Sequence, residues 1–338
     1  MFSIREAFPS DLDELAAIAV HLDTVNLPND RGMLESILDV SQRSFAGELA
    51  PFEREYLFVL ADHAAGRLVG TCMIHAQHGT RRSPHVFYEV LEDERYSETL
   101  DLHFVHQCLR IGWSYAGPTE IGGLILLPEY RGHAQGLGKL LSYVRFLYIG
   151  LHRDAFRDEI LSELLPPLEP DGTSLLWESL GRHFTGLSYQ EADRLSTHNK
   201  EFIRALFPQD LIYTTLLPKS VQAIIGQVGR NTRGVEKMLR AIGFTPAGRL
   251  DPFDGGPHFT ARTADVTLVK GTRRVRVAAD GGDGTTAGIV CAERPHPPHF
   301  VATGARFRML PGDSIVLPEA ARRVLDVAPA DEVGCVPL

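Results

Sequence analysis

The chain has 338 residues, 44% of them hydrophobic, and a formal net charge of -9. This composition is ordinary for a globular protein of two or three domains, or of one large domain with an appendage. The acidic balance argues against a broad basic surface, so we expect no nucleic-acid partner. No apolar run approaches the roughly 20 residues of a membrane span, and the four cysteines are too dispersed for a disulfide framework or a zinc site. We therefore expect a cytoplasmic protein with no signal peptide, no membrane partner and no bound metal.

The first third of the chain alternates strand and helix signals. Apolar residues at helical spacing indicate amphipathic helices, and short apolar, branched or aromatic runs indicate strands. The predicted elements are a strand at Phe2–Glu6, helices at Ser10–Val20 and Gly32–Phe45, a hairpin of Tyr56–Leu60 with Leu68–His75, and strands near Val86–Val90 and His103–Leu109.

The middle of the chain contains the strongest pattern. Ile121–Leu127 is a nearly continuous apolar run that ends at Pro128, which is typical of a central strand buried on both faces. A helix is predicted over Gly136–Leu151 and a further strand over Ile160–Leu164. Residues 173–242 are predicted to be mostly helical.

The last part of the chain returns to strands and turns, and its composition changes near Lys270. We predict an α/β (α+β) fold, in which a mixed sheet flanked by helices covers residues 1–270 with a helical insertion at about 165–230. Residues 271–338 are predicted to form a small β-rich C-terminal domain with one short helix.

The segment between the central strand and its helix is the main candidate binding site. Glycines let backbone amides face one concavity, and the following helix N-terminus adds partial positive charge. Arg131 and Lys139 add full charges, so the segment suits a pyrophosphate. The chain lacks both G-x-x-x-x-G-K-[ST] and G-x-G-x-x-G. The alternative interpretation is a plain strand-to-helix turn.

This segment also carries a family resemblance. The run P-E-Y-R-G-x-x-x-G-L-G-K-L-L from Pro128 resembles the acetyl-CoA motif R-x-x-G-x-G/A of the GNAT acyltransferase superfamily, with two extra residues between Arg131 and Gly136. Several further segments, taken in order, resemble the arginine N-succinyltransferase family. They are Leu141–Phe146, Leu176–Phe184, Asn199–Pro208, Ile212–Tyr213, Ile225–Val228 and Asp251–Pro257.

The resemblance implies a GNAT-like mixed sheet and transfer of succinyl from succinyl-CoA to the α-amine of L-arginine in arginine catabolism. Succinyl-CoA is then a cosubstrate, no cofactor is tightly bound, and a homo-oligomer is expected, with a hetero-oligomer as the other possibility. The implied CoA-binding residues are Leu124, Ile125, Leu126, Arg131, Gly132, Gly136, Leu137, Gly138 and Lys139.

One departure concerns the proton donor. The family places a histidine after Ile-Gly-Gln-Val, but this chain has Gly229 there. Glu120 is the candidate proton acceptor, with an exposed strand-end carboxylate as the alternative. Tyr213 is the candidate proton donor, with a packed tyrosine whose hydroxyl is satisfied as the alternative. His183 and His198 are predicted to be structural or surface residues.

Arginine needs carboxylates for its guanidinium group and a cation for its carboxylate. Asp251, Asp254 and Glu163 are the candidates for the guanidinium group, and Arg182 or Arg145 for a carboxylate of arginine or of succinate. Turn capping is the alternative interpretation for the two aspartates. Because of Gly229, two other functions remain open. One is a related GNAT acyltransferase for a different amine or acyl-CoA, and the other is a non-catalytic sensor that binds acyl-CoA or arginine.

Overall fold

The computed structural model describes residues 1–20, 27–81, 83–196 and 199–338. Within these residues the strands are β1 (Phe2–Glu6), β2 (Glu55–Asp62), β3 (Arg67–His75), β4 (His85–Ser97), β5 (Leu102–Ser114), β6 (Thr119–Leu126), β7 (Glu159–Glu163), β8 (Ile212–Tyr213), β9 (Thr245–Leu250), β10 (Pro257–Arg262), β11 (Arg273–Val277), β12 (Thr286–Glu293), β13 (Phe300–Leu310), β14 (Ser314–Val316) and β15 (Glu332–Pro337). The α-helices are α1 (Leu12–Ala19), α2 (Arg31–Phe45), α3 (Leu137–Leu151), α4 (Leu175–Ser179), α5 (Gly181–Thr185), α6 (Tyr189–Ser196), α7 (Glu201–Leu206), α8 (Lys219–Ile224), α9 (Arg233–Ala241), α10 (Thr267–Gly271) and α11 (Glu319–Leu325). This mixture confirms the predicted α/β class.

The chain divides into two compact units. Unit 1 contains Met1–Gln77, Thr119–Asp158 and Arg262–Leu338, and unit 2 contains His78–Pro118 and Glu159–Ala261. The helices α4 to α8 of the predicted insertion belong to unit 2. The insertion at about 165–230 and the separate C-terminal domain at 271–338 stay predictions. No described helix combines the length and apolarity needed to cross a bilayer.

Unit 1 is built on the strand order β12-β15-β11-β14-β13-β1-β2-β3-β6. An additional pairing of β12 with β13 closes the five C-terminal strands into a ring with its own apolar core. Helix α3 is buried at nearly every position from Leu140 to Ile149. An α-helix that is apolar all round belongs inside a protein, which explains why the continuous hydrophobic pattern of this segment forms a core helix.

Strand β6 contains a bulge in its middle. Its antiparallel register with β3 shifts between Thr71 and Met73, and Gly123 has a φ of 55°. A Cβ on Gly123 would lie 2.9 Å from Met73 Cγ, so both conformation and space require glycine here. The Thr71 hydroxyl donates to the Gly123 carbonyl at 2.9 Å and stabilises the bulge.

Unit 2 has the strand order β7-β10-β9-β4-β5-β8. The predicted strands near residues 86–90 and 103–109 are parts of one long antiparallel hairpin, in which His85 pairs with Ser114 and Ser97 with Leu102. The helices of the unit pack around Trp177, whose ring stacks on Phe253 at 5.1 Å. Strands β4, β7 and β10 bring residues that are distant in sequence into one buried region.

Candidate functional site

The loop before α3 in unit 1 has the backbone conformation expected of an anion site. A 3₁₀ turn at Pro128–Tyr130 follows β6, and Gly132 and Gly136 have φ angles of 73° and 63°. Apart from the chain neighbours, no atom of the described residues lies within 4 Å of a Cβ added to either glycine, so conformation rather than crowding requires them. The first N–H groups of α3, at Leu137 and Gly138, have no acceptor within the helix. They remain available as donors to an anion.

Two cations accompany this loop. Arg131 Nε donates to the Leu126 carbonyl at 3.1 Å, and Lys139 Nζ lies 5.5 Å from the centre of the Tyr143 ring. Both side chains are exposed and add positive potential at the helix N-terminus. The predicted roles of Arg131, Gly132, Gly136, Leu137, Gly138 and Lys139 in holding pyrophosphate stay predictions that agree with this geometry.

Leu124, Ile125 and Leu126, the implied CoA contacts in β6, lie in the C-terminal half of that strand. In this family resemblance their backbone would contact the pantetheine arm of CoA. Ile125 is buried opposite Thr71, while Leu124 and Leu126 are partly buried and alternate with it along the strand. The bulge at Gly123 immediately precedes them. These three residues therefore combine core packing with a locally irregular strand backbone.

Glu120, the predicted proton acceptor, is buried in β6 with 3% of its surface exposed. This finding corrects the alternative of an exposed strand-end carboxylate. Its register partner in β3 is His75, and directly opposed residues of an antiparallel pair place their side chains on the same face. His75 Nδ1 in turn lies 3.5 Å from Glu55 Oε1. Catalysis by Glu120 stays a prediction.

The two predicted aspartates of unit 2 do cap their turn. Asp251 Oδ1 accepts the N–H groups of Phe253 at 2.7 Å and of Asp254 at 3.1 Å. Asp254 Oδ1 accepts the N–H of Gly256 at 2.7 Å. The capping interpretation is therefore correct for one oxygen of each carboxylate.

Capping does not account for the electrostatics of the same aspartates. Burial, with a contribution from the negative charge of Glu163, raises the pKa of Asp251 to about 7. Burial and the charge of Asp251 raise the pKa of Asp254 well above its ordinary value. The three acids that the sequence proposed for a guanidinium group therefore interact with one another, and ionised carboxylates in such a region favour a bound cation.

A tyrosine and two histidines that the sequence analysis did not select lie in the same unit. The Tyr88 hydroxyl is buried without a hydrogen-bond partner among the described residues, and burial, together with the charge of Asp251, raises its pKa. His85 Nε2 and His258 Nε2 lie 3.3 and 3.2 Å from Glu163 Oε1. Burial lowers the pKa of His85 to about 4, so its imidazole is neutral near pH 7.

Gly229, at the position of the family histidine, is enclosed by backbone. Its N–H donates to the Leu165 carbonyl at 2.8 Å. A Cβ at this position would lie 2.6 Å from the Pro166 carbonyl oxygen and 2.9 Å from that of Leu165. No side chain fits here unless the backbone moves. The packing of residues 165 and 166 therefore favours glycine at the position where the family pattern has histidine.

The remaining predicted residues lie in other contacts. The Tyr213 hydroxyl donates to Asp93 and accepts from Arg95 Nη2 at 3.2 Å, which agrees with the alternative of a satisfied hydroxyl. Arg182 Nη1 pairs with Glu178 Oε2 at 2.8 Å on an exposed surface. The structure does not bring Tyr213 or Arg182 to the three acids through these contacts, and their roles stay predictions.

Arg145 and His198 are the last two residues named from the sequence. Arg145 is buried, and its guanidinium donates to Ser142 O, Ser142 Oγ and Gly122 O. These hydrogen bonds lie inside unit 1, so the structure assigns Arg145 to the core of that unit rather than to a substrate carboxylate. His198 lies outside the described residues.

Comparison with known proteins now adds to this geometry. The family model of the arginine N-succinyltransferase beta subunit matches residues 2–268. Arginine N-succinyltransferase subunit beta of Pseudomonas aeruginosa is 32% identical over 339 residues, covering 99% of this chain and 98% of that protein. The chain belongs to the arginine N-succinyltransferase family. The predicted membership and acyltransferase class are thereby confirmed.

Two more relatives support the assignment to the arginine N-succinyltransferase family. An arginine N-succinyltransferase of Escherichia coli is 32% identical over 281 residues, covering 82% of this chain and 81% of that protein. The solved structure of arginine/ornithine succinyltransferase subunit AI from Pseudomonas aeruginosa has a TM-score of 0.86 at 27% identity, covering 100% of this chain and 98% of that one. The shared fold extends over the full chain, including the C-terminal strands.

Proposed function

We propose that this chain transfers the succinyl group of succinyl-CoA to the α-amine of L-arginine, in arginine catabolism. The observation that carries the proposal is the match to arginine N-succinyltransferases over nearly the whole length of the chain. Two local features support it: a glycine-dependent anion site before α3, and interacting buried acids suited to a guanidinium group.

The acyl donor is an acyl-CoA, which binds as a cosubstrate and leaves after each turnover. The N–H groups at the start of α3, with Arg131 and Lys139, hold its pyrophosphate, and the strand backbone at Leu124–Leu126 holds the pantetheine arm. A succinyl group adds a carboxylate to this donor, and Arg182 remains the proposed cation for a substrate carboxylate.

The guanidinium group of arginine binds Asp251 and Asp254, with Glu163 adding negative potential. A planar guanidinium presents five N–H donors, so it can donate to the carboxylate oxygens that do not cap the turn. Its charge also offsets the cost of ionising two neighbouring buried carboxylates. The unsatisfied Tyr88 hydroxyl contributes a further polar group beside Asp251.

The chemistry requires a neutral amine that attacks the thioester carbonyl, a tetrahedral oxyanion, and departure of the CoA thiolate. Glu120 is the proposed acceptor of the amine proton. An imidazole at position 229 would require the backbone to move, and the Tyr213 hydroxyl is held by Asp93 and Arg95. The thiolate is a good leaving group near neutral pH, so proton donation to it is the least demanding step.

Thiol release measured with a matrix of amines and acyl-CoA donors tests the proposal. Steady release is expected with succinyl-CoA plus L-arginine, and acetyl-CoA or lysine should support much slower release. Tight ligand binding without release would instead indicate a non-catalytic sensor. Release with a different pair alone would contradict the proposed substrates.

A second candidate is transfer to a related amine. The aligned Pseudomonas structure is described as an arginine/ornithine succinyltransferase, and ornithine carries an ammonium group in place of the guanidinium. The enclosed Gly229 motivates this candidate, because the chain departs from its family at a catalytic position. Including ornithine in the same matrix ranks the two amines by kcat/KM.

We also propose an oligomer that acts in the cytoplasm, either a homo-oligomer or a hetero-oligomer. Relatives are named as a beta subunit and as subunit AI. The β4–β5 hairpin exposes apolar side chains around its tip, and an oligomer interface would cover them. They are Tyr96, Leu100, Leu102, Phe104 and Val105. The four cysteines are free and buried, which suits a reducing compartment.

A further inference from the structure

Three side chains of unit 2 lie close together, and only Glu163 among them has a part in the proposed acyl transfer, as a source of negative potential. His78, His85 and Glu163 each offer one ligand atom, and these atoms lie within 4.8 Å of one another. His85 begins β4, Glu163 ends β7, and His78 lies in the segment that leads into β4. Two imidazoles and a carboxylate are a common ligand set for zinc-type divalent cations.

The buried member of this set is His85, whose side chain is 2% exposed. Neither of its ring nitrogens makes a hydrogen bond with any described residue, although its Nε2 lies 3.3 Å from Glu163 Oε1. The His85–Glu163 contact is therefore short enough for a hydrogen bond, but its angles do not meet those of a hydrogen bond. Leaving a buried polar group unsatisfied is costly, and ligation of a cation would remove that cost for the ligating nitrogen.

The spacing of the two atoms fits a shared cation. Ligands of a tetrahedral zinc ion, bound at about 2.0–2.1 Å, stand about 3.3 Å apart. The distance between His85 Nε2 and Glu163 Oε1 is 3.3 Å. His78 is partly exposed, so rotation of its side chain can close the remaining separation within the 4.8 Å limit of the cluster.

Close packing of the backbone fixes the segment that carries His78. The His78 N–H donates to the Pro118 carbonyl at 2.7 Å. Gly79 has a φ of 83°, and a Cβ there would lie 2.7 Å from the His85 backbone nitrogen. A Cβ on Gly117 would lie 2.3 Å from the His78 carbonyl oxygen. Both glycines keep His78 close to His85, as a preorganised ligand set requires.

A fourth residue lies against the carboxylate. His258 in β10 has its Nε2 3.2 Å from the same Glu163 oxygen, and its ring stacks on that of His85 with centroids 5.3 Å apart. Groups behind a ligating carboxylate hold it in position and affect metal affinity. His258 is absent from the three-residue cluster, so we assign it this supporting role.

We propose that His78, His85 and Glu163 form a binding site for one zinc-type divalent transition-metal ion, with His258 holding Glu163 in place. The fourth coordination position is open to water or another small ligand. Two imidazole ligands favour zinc, cobalt or nickel over magnesium or calcium. This site revises the expectation of no bound metal, which rested on the dispersed cysteines. Asp251 and Asp254 remain for the guanidinium group.

Titration of the full chain with Co²⁺ and Zn²⁺, after chelator treatment and without substrates, tests the site. One equivalent of Co²⁺ should bind and give the intense visible absorption of a four-coordinate ion, and Zn²⁺ should displace it. His85→Phe and Glu163→Gln should each weaken binding at least about 100-fold. His258→Gln should weaken it about 10- to 100-fold, as the loss of a supporting partner does.

The chain offers a matched control in His103, which lies 2.6 Å from Glu94 on the exposed part of the hairpin. His103→Gln removes a surface histidine–glutamate pair and should leave metal affinity unchanged. Circular dichroism checks that each variant is folded. If His85→Phe does not fold, the metal affinity of the isosteric variant Glu163→Gln provides the test.

Failure to bind one equivalent of either ion would overturn the site. Equal affinity in His103→Gln and Glu163→Gln would do so as well. Because the titration contains no acyl-CoA and no arginine, such a failure leaves the proposed acyl transfer untouched.

Discussion

The loop before α3 and the acidic turn of unit 2 are prepared for opposite charges by different means. The loop exposes backbone N–H groups, and its glycines at 132 and 136 are needed for positive φ angles in open space. The turn holds Asp251 and Asp254 in a buried environment that raises the pKa of each. An anion site made of backbone is preorganised at little cost, whereas a cation site made of buried carboxylates stays unfavourable until the cation binds.

Gly136 of the loop also differs from Gly229 of unit 2. Among the described residues, no neighbour lies within 4 Å of a Cβ added to Gly136, while a Cβ on Gly229 would meet two carbonyl oxygens. A substitution at Gly136 therefore strains one residue, and a substitution at Gly229 pushes neighbouring backbone segments apart. Mutations can separate binding effects from stability effects on this basis.

The largest expected effect is on arginine binding through Asp254. Asp254→Asn keeps an oxygen that can accept the Gly256 N–H but cannot ionise to meet a guanidinium. We expect the KM for arginine to rise by at least about 100-fold, because the loss of one partner of a buried charge pair costs about 3–5 kcal/mol. The KM for succinyl-CoA should stay constant in the same steady-state assay.

Glu94→Gln is the control for this variant, because it removes an exposed acid of unit 2 that pairs with His103. Its arginine KM should change less than about threefold, as expected for a surface pair. Equal arginine KM values in Asp254→Asn and the native chain would contradict the guanidinium site.

The next effect concerns stability at Gly229. Gly229→Ala places a methyl group 2.6 Å from the Pro166 carbonyl oxygen, so the free energy of unfolding should fall by about 1–3 kcal/mol. Gly234→Ala is the matched control, because Gly234 lies in α9 and, outside the helix backbone, no described atom lies within 4 Å of a Cβ added there. It should raise stability by up to about 1 kcal/mol through helix propensity. Chemical denaturation measures both, and an unchanged midpoint for Gly229→Ala would show that the backbone yields easily.

Sequence patterns found the first region better than the second. The strand, the glycines and the helix of the loop are contiguous, so local rules locate all of its parts. Asp251 and Asp254 also share one short turn. By contrast, His85 and His258 meet Glu163 only through the assembly of the unit 2 strands, and no local signal marks them. The crowding at Gly229 likewise depends on a distant backbone segment.

Tyr88 shows the same limit of sequence analysis. It reaches Asp251 because β4 pairs with β9, where Tyr88 is opposite Leu250. An aromatic residue in an alternating strand is normally assigned to the core, and Tyr88 is indeed fully buried. Only the tertiary structure shows that its hydroxyl lies unsatisfied near an acidic turn.

A smaller effect is expected for acyl-CoA binding by the loop. Gly136→Ala forces alanine into a φ of 63°, which costs about 1–2 kcal/mol and disturbs the N–H groups at the start of α3. We expect the KM for succinyl-CoA to rise about tenfold, with the arginine KM unchanged.

Gly47→Ala controls for strain, because Gly47 has a φ of 76° and equally open surroundings at the end of α2. Both variants should lose similar stability in denaturation, but only Gly136→Ala should weaken acyl-CoA binding. If the two variants have the same succinyl-CoA KM, the loop does not hold the pyrophosphate.

The smallest expected effect is the pH dependence of arginine binding. Asp251 must be ionised to pair with a guanidinium, and its pKa in the free protein is about 7. Affinity should therefore rise about threefold between pH 6.5 and 7.5, because the ionised fraction rises by that factor. The groups that influence Asp251 are Glu163, Asp193, Asp254 and Tyr88.

Ionisation of Asp251 raises arginine affinity but lowers the stability of the folded chain. The pKa of Asp251 is higher in the folded chain than in an unfolded one, so the protonated folded state is favoured at low pH. This contribution is lost as the pH rises through about 7, and bound arginine should restore it. Calorimetric titration of arginine measures the affinity, and Asp251→Asn should flatten its pH profile. A native profile that is already flat would mean that the pKa of Asp251 lies outside this pH range or that arginine does not contact it.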